Sequence, residues 1–410
     1  MRIAIINTVY SSSKSTGKLA YGLYDYLMSN GNNDVYFYYG REIAKNENLH
    51  SDSHIKRIGN NFDNYVHGAM SRLVGNQGQY SIQATKKLVQ DLKDKNIDAI
   101  YLMNLHGYYI NIPILFDYIK ENSIKCIYVM YDEYAFTGKC CFSFECNKFM
   151  TTCKECKHLP EYPKSLFFDK SRHLFEMKRK AYESVQNIVF VGVPYTIRKA
   201  RQSELLKNYK LVEMDEAINL RDIYYPRAER DKKALLSNLG IPENKVIILT
   251  VCSYPNERKG GKYYLECARK VQIDDFAFIH VGFNGDVSEC PSNYFPINYV
   301  QDQNVLAQYY SVADLFVCTS LAETVADTCL ESLACGTPIL GFKAAGMPDC
   351  ADNKHGTFVE AKNSDELVRV VIDTKKKTDE IIQSCREYAC SRYDYNEYFS
   401  KLSGLLHEFE

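Results

Sequence analysis

The 410-residue chain has no tryptophan, only 11 prolines and no surplus of either charge: 50 Lys and Arg stand against 51 Asp and Glu. A near-neutral chain lacks the basic excess that binding a phosphate backbone requires, so no nucleic-acid partner is expected. Nowhere does it approach the roughly 18 consecutive apolar residues of a membrane-spanning helix. The opening Met1–Asn7 has too short an apolar run, and no small-residue cleavage pattern, for a secretory signal. These absences predict a cytoplasmic protein, at most peripheral on the inner face of the cell membrane. Solenoid repeats and low-complexity tracts are missing too. Tyrosine (33) and cysteine (15) are abundant by contrast, and an odd cysteine count rules out complete pairing within one chain.

Charge is unevenly spread. Residues 1–220 hold 29 basic and 23 acidic side chains, and the remainder 21 and 28. The first half therefore leans weakly towards anionic partners. At about 100–200 residues per domain, the length favours two or three domains. Short apolar runs at Ile3–Ile6, Val35–Tyr39, Ala99–Met103, Cys126–Met130 and Asn187–Val191 alternate with helical patterns, the first of them marked by Leu19, Leu23 and Leu27. A second series runs through Val246–Cys252, Phe276–Val281, Asp314–Cys318 and Pro338–Gly341. Strand-then-helix repetition predicts an α/β protein of two doubly wound parallel-sheet domains facing an interdomain cleft. The boundaries expected are 1–218 for the first domain, 219–390 for the second, and a terminal helix at 391–410 that packs back on the first. Pro226 and sparse periodicity suit a linker around Asn219–Pro226.

The most informative stretch is Ser320-Leu-Ala-Glu-Thr-Val-Ala-Asp-Thr-Cys-Leu-Glu-Ser-Leu-Ala-Cys-Gly-Thr-Pro. Glu323 falls in a loop past a strand, and Glu331 about one turn into a helix that Asp327 or Thr328 would cap. A helix N-terminus attracts phosphate, and two bracketing carboxylates suit sugar hydroxyls. The bland alternative is a capped helix with a solvated glutamate at each end. A Glu-x7-Glu pair followed by Ser-Leu-Ala-Cys-Gly-Thr-Pro and Gly346 resembles the signature of the retaining glycosyltransferases of family 4. The similarity extends to Ser15-Thr16-Gly17-Lys18 after the first strand, to Lys259-Gly260, and to Asn104-Leu-His-Gly-Tyr-Tyr-Ile-Asn. Within that family the chain is most similar to enzymes of bacterial capsule, O-antigen and exopolysaccharide assembly. The resemblance implies the GT-B fold, two Rossmann-like domains with the nucleotide-sugar bound mainly to the second. It implies that Glu331 holds the ribose hydroxyls, that Glu323, a candidate catalytic residue, contacts the donor sugar, and that the backbone at Val325 and Ala326 meets the diphosphate. Cations for that diphosphate are Arg258 and Lys259, with Gly17 a further donor-site residue. The family's usual arginine lies earlier, where this chain has Ser253 or Tyr254.

His106 and Asp132 follow strands of the first domain and are its candidate catalytic residues; a lone histidine is otherwise a structural hydrogen-bonder. Related sequences carry His-Asp where this one has Tyr131-Asp132, so the imidazole of that position is lost. Phosphate positioning is then the main catalytic contribution, with no catalytic cofactor.

Cys140, Cys146, Cys153 and Cys156 form a C-x5-C-x6-C-x2-C cluster in an insertion at 139–164. Structural zinc is the favoured reading, ahead of free thiols, disulfides and an iron–sulfur cluster. Lys164–Lys180, with six basic and two acidic residues, reads as a solvated helix face, or as a contact for anionic lipid or a polyprenyl diphosphate. Tyr108 and Tyr109 could stack on sugar rings. The reading is a hexosyl-type glycosyltransferase passing a sugar from a UDP- or GDP-sugar to a glycan or polyprenyl-diphosphate-linked acceptor. Its rivals are a GT-B nucleotide-sugar epimerase and a non-catalytic zinc-bearing factor of polysaccharide assembly.

Overall fold

Ile3–Ile6, Ile100–Leu102 and Cys126–Met130 are buried along their whole length, as strands covered on both faces must be. The computed structural model describes residues 1–11, 15–31, 33–41, 53–183, 185–271 and 274–409. The chain divides into two units, Met1–Met214 with Asn396–Glu410, and Asp215–Tyr395.

The first unit holds a parallel sheet of β1 (Arg2–Val9), β2 (Asp34–Arg41), β3 (Ile55–Arg57), β4 (Ala99–Leu102), β5 (Lys125–Met130), β6 (Ile188–Gly192) and β7 (Lys210–Glu213), in the order β3-β2-β1-β4-β5-β6-β7. Its helices are α1 (Ser15–Ser29), α2 (Asn61–Val74), α3 (Ile82–Asp94), α4 (Ile112–Glu121), α5 (Ser171–Tyr182) and α6 (Pro194–Ala200). Leu19, Leu23 and Leu27 of α1 are buried as their spacing requires. Local chemistry fixes both ends of α2: Asn60 and Asp63 form a reciprocal capping box, and Gly75 closes the helix at φ 84°.

The second unit repeats the plan with β8 (Val246–Tyr254), β9 (Phe276–Phe283), β10 (Tyr294–Ile297), β11 (Leu315–Cys318), β12 (Ile339–Phe342) and β13 (Gly356–Val359), ordered β10-β9-β8-β11-β12-β13. Its helices are α7 (Glu229–Leu239), α8 (Gly261–Lys270), α9 (Gln303–Val312), α10 (Asp327–Ala334), α11 (Ser364–Asp373) and α12 (Asp379–Arg392). Both sheets thus reverse direction of winding at one point, between β1 and β4 and between β8 and β11. Ligand crevices open there, at the carboxyl ends of the strands.

Two regions depart from their expected form. The linker proposed around Asn219–Pro226 is packed instead: Leu220 and Tyr224 are buried, and Arg386 of α12 donates to both their carbonyls, at 2.8 and 2.6 Å. A bidentate pair of Arg392 with Asp215 ties the start of this unit to its last helix. The chain after it forms α13 (Tyr395–Gly404), whose Leu402 carbonyl accepts from Tyr101 of β4 at 3.3 Å. The solvated-face reading of 164–180 fails for Lys178, which is wholly buried in α5 and donates to the carbonyls of Thr137 (3.0 Å) and Gly138 (3.3 Å).

Candidate functional site

In the second unit the loops that leave β8 and β11 meet. Gly260 lies at φ 66°, and a Cβ there would stand 2.0 Å from the Thr319 carbonyl oxygen, so the Lys259-Gly260 pair is a steric requirement of this approach. The Leu321 N–H donates to the Arg258 carbonyl at 2.8 Å, stitching one loop to the other. Arg258 Nη1 and Lys259 Nζ each reach Glu323 Oε1 at 2.7 Å, and Arg258 also donates to the Ala322 carbonyl at 2.7 Å. Glu323 is only 7 % exposed. Burial would pull the Lys259 ammonium down, but the Glu323 charge and hydrogen bond, against repulsion from Arg258, carry it above its ordinary value. One carboxylate facing two cations leaves a surplus positive charge in a half-desolvated loop, which suits an anion.

The N-terminus of α10 adjoins this cluster in sequence. Asp327, expected as a cap, is already helical; Ala326 holds the N-cap position and makes no side-chain cap hydrogen bond. Gly346 donates its N–H to the Glu323 carbonyl at 2.8 Å, and a Cβ at Gly346 would fall 1.8 Å from the Thr324 carbonyl oxygen. Glu331 is 4 % exposed and accepts from the Tyr310 hydroxyl of α9 at 2.9 Å. Burial, then the Glu331 charge, holds the Tyr310 phenol protonated far above its ordinary range. The solvated-glutamate alternative is therefore wrong, because both carboxylates are buried and bonded. Tyr310 is a site residue that the sequence reading passed over; its only sequence signal is its place in the Tyr310-Ser-Val-Ala-Asp stretch ahead of Glu323.

In the first unit the loop after β4 carries His106, and the loop after β5 carries Asp132. These strands are adjacent and parallel, so residues 26 apart in sequence meet: His106 Nε2 lies 2.7 Å from Asp132 Oδ2. Position 131 still lacks an imidazole; a different one, that of His106, meets Asp132 from the neighbouring strand. His106 Nδ1 is 3.0 Å from the Tyr162 hydroxyl, a pairing that places the ring proton on Nε2 when the ring is neutral. Thr8 fixes the loop from β1, donating to the carbonyls of His106 (2.6 Å) and Asn104 (3.2 Å). Cys141 joins the pair: among the described residues, one ligand atom from each of His106, Asp132 and Cys141 lies within 4.8 Å of the others.

Gly17 sits in the first turn of α1 and packs on the end of β1, where a Cβ would meet Ser11 and Val9 at 3.0–3.1 Å. It belongs to the first unit, whereas Arg258, Lys259, Glu323, Val325, Ala326 and Glu331 belong to the second. Of the flagged tyrosines, Tyr109 is core, donating to the Asn104 carbonyl at 2.5 Å, and Tyr108 lines a cavity.

The Cys140 and Cys156 thiols act on each other: ahead of burial, this raises Cys140 and pulls Cys156 below its ordinary value. Cys153 Sγ accepts from the Gly138 N–H at 3.2 Å, and Lys139 ties the insertion together through the carbonyls of His158 (2.8 Å) and Glu161 (3.1 Å). Among the described residues no three of the four predicted ligand sulfurs (Cys140, Cys146, Cys153, Cys156) lie within 4.8 Å of one another, so gathering them on one ion requires local rearrangement.

Residues 245–375 match the family model described as glycosyl transferases group 1. A curated relative, the alpha-maltose-1-phosphate synthase of Mycolicibacterium smegmatis, is 20% identical over 208 residues, 46% of this chain and 52% of the relative. The match thus spans about half of that relative's length. Sucrose-phosphate synthase from Thermosynechococcus elongatus superposes with a TM-score of 0.68 at 15% identity, over 99% of this chain and 98% of that one. Anabaena HepE in complex with UDP superposes with a TM-score of 0.70 at 13% identity over the whole of both chains, and a further HepE structure holds UDP-glucose. The chain has the GT-B fold of these structures, and residues 245–375 of its second unit are similar to the group 1 glycosyl transferases.

Proposed function

We propose that the chain is a glycosyltransferase that moves a hexosyl group from a nucleoside diphosphate sugar, of UDP or GDP type, to a lipid-linked glycan acceptor with retention at the anomeric carbon. The observation that carries this reading is the pair of cations on Glu323 next to a helix N-terminus without a side-chain cap, with Glu331 buried one turn on and oriented by Tyr310. In the reaction the bond from the anomeric carbon to the diphosphate oxygen breaks and a bond to the acceptor oxygen forms. Arg258, Lys259 and the first N–H groups of α10 stabilise the charge that develops on the leaving diphosphate. The departing phosphate oxygen takes the acceptor proton, so no separate base is needed. Glu331 receives the ribose hydroxyls on the carboxylate that Tyr310 holds in place. His106, fixed by Asp132 and Tyr162, acts on the acceptor side.

The UDP-bound state of HepE supports a uridine nucleotide as the first donor to try. Calorimetry of the full chain with UDP, GDP and their sugars, wild type against Glu331→Ala, tests the donor site; undiminished binding by the variant would refute it. Release of free nucleoside diphosphate only in the presence of acceptor separates transfer from epimerisation. The zinc reading rests on cysteine spacing, and metal content measured before and after Cys153→Ser decides it. Attachment to the membrane surface is tested by flotation with anionic vesicles; no helix among the described residues is long and apolar enough to cross a membrane.

A further inference from the structure

The first unit contains a cavity of about 360 Å³ between the end of β2, α2 and the loop after β4, within the size range of small-ligand sites. Arg41 from β2 and Arg72 from α2 line it, together with Tyr108 and Tyr162. In this unit Arg2 pairs with Asp98 and Arg179 with Glu176. Among the described residues no carboxylate lies within 4.0 Å of Arg41 or Arg72. Two guanidinium groups that no described carboxylate neutralises, on one cavity, suit an anion, which a planar fork holds in bidentate fashion.

The aromatic wall is built at a cost. Gly107 and Tyr108 are consecutive residues at positive φ, 113° and 66°, and a tyrosine in the left-handed region is strained. Gly107 cannot be replaced, since a Cβ would stand 2.5 Å from Thr8 Cγ2. The strained turn places His106 against Asp132 and, two residues later, sets the Tyr108 ring edge-on to Tyr162 at 6.0 Å with Arg72 5.8 Å from its centroid. Because Tyr162 also bonds His106, one side chain of the cavity wall is tied to the imidazole.

We propose that this cavity recognises an acidic sugar: a phosphate or carboxylate held by Arg41 and Arg72, with the ring against Tyr108 and Tyr162. That this ligand is the acceptor rests on the glycosyltransferase reading; that the cavity binds it does not.

The test is calorimetry on the full chain, saturated with UDP to occupy the nucleotide site. Glucose 1-phosphate serves as the phosphate probe, glucuronate as the carboxylate probe and glucose as the neutral control. At least one anionic probe binds and glucose does not; Arg72→Gln weakens that binding about tenfold and Arg41→Gln/Arg72→Gln about a hundredfold. Whichever anionic probe binds identifies the acidic group. Arg72→Lys, which keeps the charge and loses the fork, falls between wild type and Arg72→Gln. Equal binding of glucose, absence of binding by both anionic probes, or affinity unchanged in the double variant overturns the proposal. A chain that fails to bind UDP yet still binds an anionic probe through these arginines would refute the donor reading and leave this one standing.

Discussion

The two units share a strand order and differ in what their crevice loops carry. At the β8/β11 reversal the loops bring buried carboxylates and cations, Glu323 with Arg258 and Lys259, beside a helix N-terminus. At the β1/β4 reversal the equivalent loop brings an imidazole among tyrosines, His106 with Asp132 and Tyr162. The sheet supplies a place for chemistry and the loops choose it. On the proposed function, the charged loops of the second unit take the phosphate-bearing donor and the first unit takes the acceptor, so the same scaffold divides the two tasks between its copies.

The sharpest way to break this division is to delete charge on one side only. Lys259→Ala and Glu331→Ala should each lower transfer by two to three orders of magnitude, about 3–4 kcal/mol, and weaken UDP binding in calorimetry. His106→Gln should lower transfer by about a hundredfold while UDP affinity stays as in the wild type. A loss of UDP affinity in His106→Gln would show that the tasks are not divided. Gly346→Ala, whose Cβ would collide with the Thr324 carbonyl, should cost about 2–3 kcal/mol of stability in urea unfolding, with a second unit that melts before the first.

Tyr310→Phe removes only the hydroxyl that Glu331 accepts from, so UDP affinity should fall by about five- to thirtyfold, equivalent to about 1–2 kcal/mol. A last contrast is in acid. Burial lowers His67 of the first unit to about 3 and His280 of the second to about 4. Below the unfolded value of about 6.5 the unfolded chain takes up a proton that each folded ring refuses, so stability falls as pH drops from 6.5 towards 4. The slope is about 1.4 kcal/mol per pH unit for each ring. His67→Gln should flatten the acid limb of the first unit's melting temperature and leave the second unit's unchanged.

Much of this was legible in advance for a simple reason. A strand buried on both faces must be apolar throughout, so Ile3–Ile6, Cys126–Met130 and Phe276–Val281 announce themselves. The edge strands β3, β7, β10 and β13 do not, because residues such as Lys210–Glu213 are half exposed and carry no such run. Glu323 and Glu331 stood out by spacing, yet spacing is silent on burial, and a solvated pair has the same letters.

The linear chain by itself determined the alternation of strand and helix, the glycines that let loops approach, and the carboxylate pair at the second unit. Tertiary structure alone decided that His106 meets Asp132, since only the parallel pairing of β4 with β5 brings their ends together. It also decided that Lys178 is buried rather than solvated, and that Tyr310 orients Glu331. Contacts between residues distant in sequence depend on which strands are neighbours, and no local periodicity encodes that order.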